Sequence, residues 1–383
     1  MMADSVKSGK KWSGGLRYEH RGCRGIWRRR LLPVLVCLAL APAPFALAAN
    51  SGGQDNVPKT SDYGNDTPSG NIVTIDSDVV HDVIGGYASA GAADNNQVTM
   101  TGGTVGHSVS GAFVDGNGTA TGNSVTMSSG MIVNSFFGAF VNSGVVSGNS
   151  ATVLGGTVEG HVIGGYVLGN GAANGSTVTV SGGTIEGHVI GGHAFGDGTT
   201  NGNSVTIAGN ATVNGDIYGG YFLDSSGTAT EGDVTGNTVT LATGAGANLA
   251  SAIVYGGNSN VAGADVKTGN TLNVDTGHVK VKNIANFQTV NFNVNAETAP
   301  TAGQAMLALN DTTGTDLSGT QVNMQGTIAG GGQGQPLATT ITLIKNANGL
   351  TTDANTLSGT AIVRQGVSLN HHYTLQADSN TLT

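Results

Sequence analysis

The sequence predicts an all-β chain wound into a single parallel β-helix, a solenoid with turns of about 25–34 residues and irregular coils at its C-terminal end. Three observations predict it. The phrase Asn-x-Val-Thr, or a close variant, begins at Asn71, Asn96, Asn123, Asn149, Ser176, Asn203, Asn237 and Asn270, at spacings of 25, 27, 26, 27, 27, 34 and 33 residues. A longer phrase, GGTVEGHVIGGY at 155–166, returns as GGTIEGHVIGGH at 182–193. Composition is the third: 64 of 383 residues are Gly and 10% are charged, against about 25% charged in ordinary globular domains. Glycine at this density argues against helical repeats, because each one costs about 1 kcal/mol inside a helix. It has no three-residue period, which excludes collagen.

Residues 1–48 are a different polymer. Nine of the 15 basic residues fall there, followed by the apolar run LLPVLVCLALAPAPFALAA. A basic stretch, an apolar stretch and an Ala-x-Ala ending form the pattern of a secretory signal peptide, with cleavage expected between Ala48 and Ala49. Three prolines in the apolar run and the small residues at its end favour cleavage over a retained anchor. Cys37 follows Val36 rather than a small residue, which speaks against lipid attachment. Both cysteines and both tryptophans lie in this segment, so the exported chain has no disulfide to stabilise it. It keeps 6 Lys and Arg against 22 Asp and Glu, a charge balance that repels nucleic acid and anionic lipid.

Residues 49–70, rich in Gly, Asn, Asp, Pro and Ser, read as a flexible lead-in. The repeats occupy 71–295. Their apolar runs, such as Val178-Thr179-Val180 and Val205-Thr206-Ile207, are three to five residues long, alternate, and are bounded by Gly and Asn. Strands so short cannot bury enough surface alone. Stacked coil on coil about 4.8 Å apart, they fill a shared interior. Val158 should then lie by Ile185, and Val178 by Val205. The in-register pairs Gly164-Gly165, Gly191-Gly192 and Gly219-Gly220 should form stacked corners. Asn123, Asn149, Asn203 and Asn237 should form a ladder of bonded amides. The extra residues after Tyr221 and Ala247 should emerge as side loops. Eight such turns span roughly 40 Å. Residues 296–383 lose the repeat but keep short strand-like runs (AMLAL, TQVNM, TITLI, TAIVR, YTLQA), as end coils that close the stack.

Little in the chain suggests chemistry. It lacks G-x-S-x-G, H-E-x-x-H and the phosphate-binding G-x-x-x-x-G-K. His161 and His188 share a repeat position, with Asp216 and Asp82 in the matching places of other units, close enough to consider a shared metal ion. Alternation instead favours a solvated polar column. His371-His372 reads as a solvated or strand-edge pair. VDGNG (114–118) and FGDGTTNGN (195–203) suggest calcium, but neither holds the full set of carboxylates, and Asp and Asn form Gly-rich turns readily. No Lys or Arg occurs between Lys59 and Lys267, so the repeats lack the cation that polysaccharide-cleaving β-helices set beside their carboxylates. The site reading is therefore no catalytic residue, no cofactor and no metal.

The long basic leader, the Cys-free Gly/Asn/Thr repeats and the closing stretch LIKNANGLTTDANTLSGTAIVRQGVSLNHHYTLQADSNTLT resemble the passenger region of bacterial type V autotransporters of the adhesin type. The resemblance implies a β-helical passenger carried out by its own outer-membrane barrel. It also implies display at the cell surface, with adhesion to host or bacterial surface glycans or proteins. Residues 296–383 supply no set of amphipathic barrel strands with an aromatic girdle, so the translocator is expected to be missing from this chain, which leaves surface, medium and periplasm as expected destinations. The expectation is a non-enzymatic, adhesin-like exported rod. The alternatives are a carbohydrate-active β-helix enzyme and an inactive truncated fragment.

Overall fold

The computed structural model describes residues 68–383 apart from 225–226, 228, 230, 296–297, 299–303, 329–339 and 367–368. The leader, the Ala48–Ala49 junction and residues 49–67 lie outside the described residues. The chain is a parallel β solenoid. Three stacked sheets, or walls, run along it, with 12, 5 and 14 strands.

One coil shows how sequence makes the winding. Ser150–Val153 lies in the first wall, Thr157–Val158 in the second and Val162–Val167 in the third. The strand Gly171–Asn174 then returns toward the start, and the next coil begins at Thr177–Val180. Ser150–Val153 pairs in parallel with Ser124–Met127 on one side and Thr177–Val180 on the other. Alternate residues point inward, so Ala151 and Val153 are buried while Ser150 and Thr152 face out. Val158 pairs with Ile185 and Val178 with Val205, all four fully buried in the main core. Burying such a side chain stabilises the fold by about 1.5–3 kcal/mol.

Each coil has two lobes. The larger core lies between the three walls. A smaller one, which includes Val141, Val146, Val167, Ala173 and Phe222, fills the space between the far half of the third wall and the return strand. A ladder of buried asparagines lies at the waist between the lobes. Nδ2 of Asn71 donates to Oδ1 of Asn96, Asn96 to Asn123, and Asn123 to Asn149, each at 2.9 Å. Asn203 continues to Asn237 at 3.1 Å, and Asn237 to Asn270 at 3.2 Å. Each accepting oxygen also takes the backbone N–H of the preceding asparagine. Ser176 interrupts the ladder, and its buried Oγ has no partner.

The glycine pairs are not corners, which corrects the sequence expectation. Gly164-Gly165, Gly191-Gly192 and Gly219-Gly220 lie inside the strands Val162–Val167, Val189–Phe195 and Ile217–Leu223, and none has positive φ. They are required by lack of room. A Cβ on Gly192 would sit 2.5 Å from Nδ2 of Asn203, and one on Gly219 would sit 2.8 Å from Cβ of Asn237. The glycines make way for the asparagine ladder. The left-handed position is elsewhere, one residue before each ladder side chain. Gly122, Gly148, Gly202, Gly236 and Gly269 hold φ between 62° and 72° there, and Asn95 takes the same role at 58°.

The extra length expected after Tyr221 follows the strand Ile217–Leu223: none of the described residues between Leu223 and Asn237 is in a strand. In the next coil it is shared between a wider corner before Val254 and the stretch 260–269. Beyond Asn270 the second lobe stops: Thr271–Val274 and Thr289–Val294 are adjacent strands only 18 residues apart. Much of the C-terminal region continues the same walls. Gln321–Ile328 and Ala361–Gln365 extend the first, and Leu307–Leu309 and Ile344–Asn346 the third. Two antiparallel strands, Leu369–His372 and Thr381–Leu382, then close the stack. TITLI and YTLQA contribute little strand: only Ile344 of the first is extended, and Ala377 of the second makes a single bridge.

Candidate functional site: the corner and crease of the third wall

Two polar and aromatic columns meet where the second wall turns into the third. The first runs along the corner. The backbone N–H of each coil donates to the side chain one coil before: Ser108 to Asp82 at 2.9 Å, His161 to Ser135 at 3.2 Å, His188 to His161 Nδ1 at 2.9 Å, Asp216 to His188 Nδ1 at 2.8 Å, and Ile253 to Asp216 at 2.9 Å. The corner turns each N–H away from the sheet ladders, and a short acceptor in the neighbouring coil satisfies it. This explains why Asp, Ser and His alternate at one repeat position.

His161 and His188 therefore do not form the solvated column expected from alternation. Their rings stack face to face, with centroids 5.1 Å apart and planes 3° apart, and both are half-buried. An Nδ1 that accepts an N–H bond carries no proton, so both rings are neutral with hydrogen on Nε2. Burial, reinforced by the charge His188 would carry, lowers the pKa of His161 to about 4. Burial lowers that of His188 too, with Asp216 acting in the opposite direction. Among the described residues, no three of His, Cys, Asp and Glu gather as a metal set.

The second column runs along the outer side of the third wall. In five successive coils the residue after the glycine pair of the third wall, or its Gly-Ala equivalent, carries a ring: Phe113, Phe140, Tyr166, His193 and Tyr221; Asn258 takes the place in the next coil. Their rings follow one another at 5.0, 4.8, 5.0 and 4.8 Å. Residues three apart also meet on this side, as Tyr218 and Tyr221 do at 4.9 Å. Tyr218 in turn stacks on Tyr255 at 4.9 Å and 3°. Each such pair contributes about 0.5–1.5 kcal/mol beyond burial. His193 is 2% exposed between Tyr166, Phe195 and Tyr221, and neither ring nitrogen has a hydrogen-bond partner. Burial, followed by the nearby His161 and His188, lowers its pKa to about 3, so it is a neutral ring that serves as an aromatic spacer. Sequence reasoning noted the Tyr166–His193 exchange but missed the column. The signal was the ring that follows the Gly-Gly or Gly-Ala pair at one repeat position, from Phe113 to Tyr221.

The remaining sequence candidates are dispersed. VDGNG is not a loop: it lies within the strand Val109–Thr121, where Asp115 accepts from Nδ2 of Asn142 at 3.0 Å. In 195–203, Gly196 makes a left-handed turn and Gly198–Thr199 a short strand. His371 is a strand-edge residue bonded to Gln365 at 2.9 Å. A shallow hollow of about 350 Å³ is lined by Asn293, Gln325, Gly326, Thr327, Ile362 and Arg364, with no carboxylate in its lining. No protein-family model matches the chain, and no curated protein or solved structure matches it.

Proposed function

We propose that the chain is a non-enzymatic, adhesin-like exported passenger whose product is a stiff rod with faces for repeated weak contact at the cell surface or in the medium. The observation that carries this reading is where the polar side chains go. Asparagines, corner histidines and corner aspartates hold one coil to the next at 2.8–3.2 Å, and so serve the rod itself rather than a pocket. The enzyme alternative requires paired carboxylates with a cation in a groove. The hollow beside Arg364 supplies a cation alone.

The leader supports export, and the repeats support the likeness to autotransporter passengers. Expression of the full chain in a Gram-negative host tests the proposal. The expected product begins at Ala49 and is open to added protease on cells or free in the medium. A cytosolic product that retains residues 1–48 would overturn it.

A further inference from the structure

The outer face of the first wall is unlike the rest of the molecule. Thr99, Thr126, Thr152, Thr179, Thr206 and Thr240 are successive partners in the parallel register and form one file. Two residues before them, Ser124, Ser150, Thr177, Ser204 and Thr238 form a second. All point outward and are half-buried or exposed. Among the described residues, none of these hydroxyls bonds a protein group, except that Thr240 accepts a long bond from Asn273 at 3.4 Å. The seven strands from Ile72–Ile75 to Thr238–Thr243 contain no charged and no aromatic residue, in a chain with 22 carboxylates beyond residue 48.

The spacing is fixed by the fold. Hydroxyls repeat about every 4.8 Å along a file, and the files lie roughly 6.7 Å apart, two residues along a strand. Threonine is stiff about χ1, so each site of the first file holds its hydroxyl and methyl in one orientation, while the second file mixes serine and threonine hydroxyls. Such a face orders water into a two-dimensional net, with hydroxyls as anchors and methyls in the gaps. Both steps fall close to oxygen repeats on a prism face of hexagonal ice. The lack of charge removes the strongly hydrated groups that would disrupt the net. A neutral crystalline polysaccharide is the competing partner, but sugar rings bind by stacking on aromatic side chains, and the strands that carry this face hold none.

We propose that the outer face of the first wall, centred on Thr152 and Thr179, binds the lattice of ice. The proposal is independent of whether the rod is displayed or released. The experiment is partition of the full chain into a slowly growing ice front, with microscopy of seeded crystals, for the parent, the Thr152→Lys/Thr179→Lys double variant and Thr184→Lys on the second wall. Circular dichroism confirms that each variant keeps its β signal. The parent and Thr184→Lys should be enriched several-fold in the ice and facet the crystals, and the double variant should remain in the liquid. Equal exclusion of all three, equal partition of the parent and the folded double variant, or parent protein that sediments with cellulose or chitin yet stays out of the ice, would each overturn it.

Discussion

The backbone N–H of His188 donates to Nδ1 of His161 at 2.9 Å, and the two imidazoles lie parallel with centroids 5.1 Å apart. Protonation of that nitrogen and acceptance of that bond exclude each other. The folded-state pKa of His161, about 4, lies below its unfolded value of about 6.5, so acid protonates the unfolded chain first. The contribution to stability is complete above pH 6.5 and is lost as pH falls toward 4, on the order of 3 kcal/mol. Urea unfolding at pH 7.5 and 4.5 checks this. His161→Ser, which copies the native Ser135 one coil earlier, should reduce that dependence and leave the part due to His188 and His193. Parallel losses in parent and variant would assign the effect to other groups.

The asparagine ladder predicts opposite signs at two positions. Asn123→Ala removes the acceptor of two buried Asn96 donors, the backbone N–H and Nδ2, both at 2.9 Å, and should cost about 2–3 kcal/mol. Ser176→Asn fills the interruption with the residue used at the equivalent site in other coils, and should stabilise by about 1 kcal/mol. Thermal unfolding of both variants against the parent measures the pair.

Glycine substitutions separate crowding from backbone conformation. Gly192→Ala brings a methyl against Asn203 and the Ala173 carbonyl, both 2.5 Å away, and should cost about 2–3 kcal/mol. Gly148→Ala meets open space and only the penalty of φ 62°, about 1 kcal/mol. Equal costs in urea titration would return the glycine pairs to the role of corners.

Ile185→Ala deletes a fully buried side chain that packs between coils, and should cost about 3–4 kcal/mol. Thr184→Ala, its half-buried neighbour on the outer side of the same short strand, should change stability by less than about 0.5 kcal/mol. Chemical denaturation of both variants tests the inward and outward assignment directly.

The repeat was legible because a solenoid imposes one chemical demand per coil at each position. Val158 had to match Ile185, and the buried amides had to recur, so pairing and ladder followed from spacing alone. The role of Gly164-Gly165 was misread because glycine satisfies two needs, positive φ and absent volume, and sequence does not distinguish them. The second lobe was hidden for a related reason. Its removal after Asn270 shortens the period to 18 residues while the first and third walls continue, so the coil persists where the spacing pattern fails. His161 and His188 were placed in solvent because strict alternation was applied to a corner, where the chain leaves the pleat and the free N–H needs an acceptor.

The reversed strand Leu369–His372 carries a consequence for assembly. A growing fibre needs each end to offer the next molecule the same parallel template that the interior uses. Here the last parallel strand of the first wall, Ala361–Gln365, is already taken by a neighbour running the other way, four residues long and ending in two histidines. An incoming coil would meet a mismatched and very short edge. Chain direction thus keeps this edge of the first wall from offering a further parallel strand the template that the interior coils use.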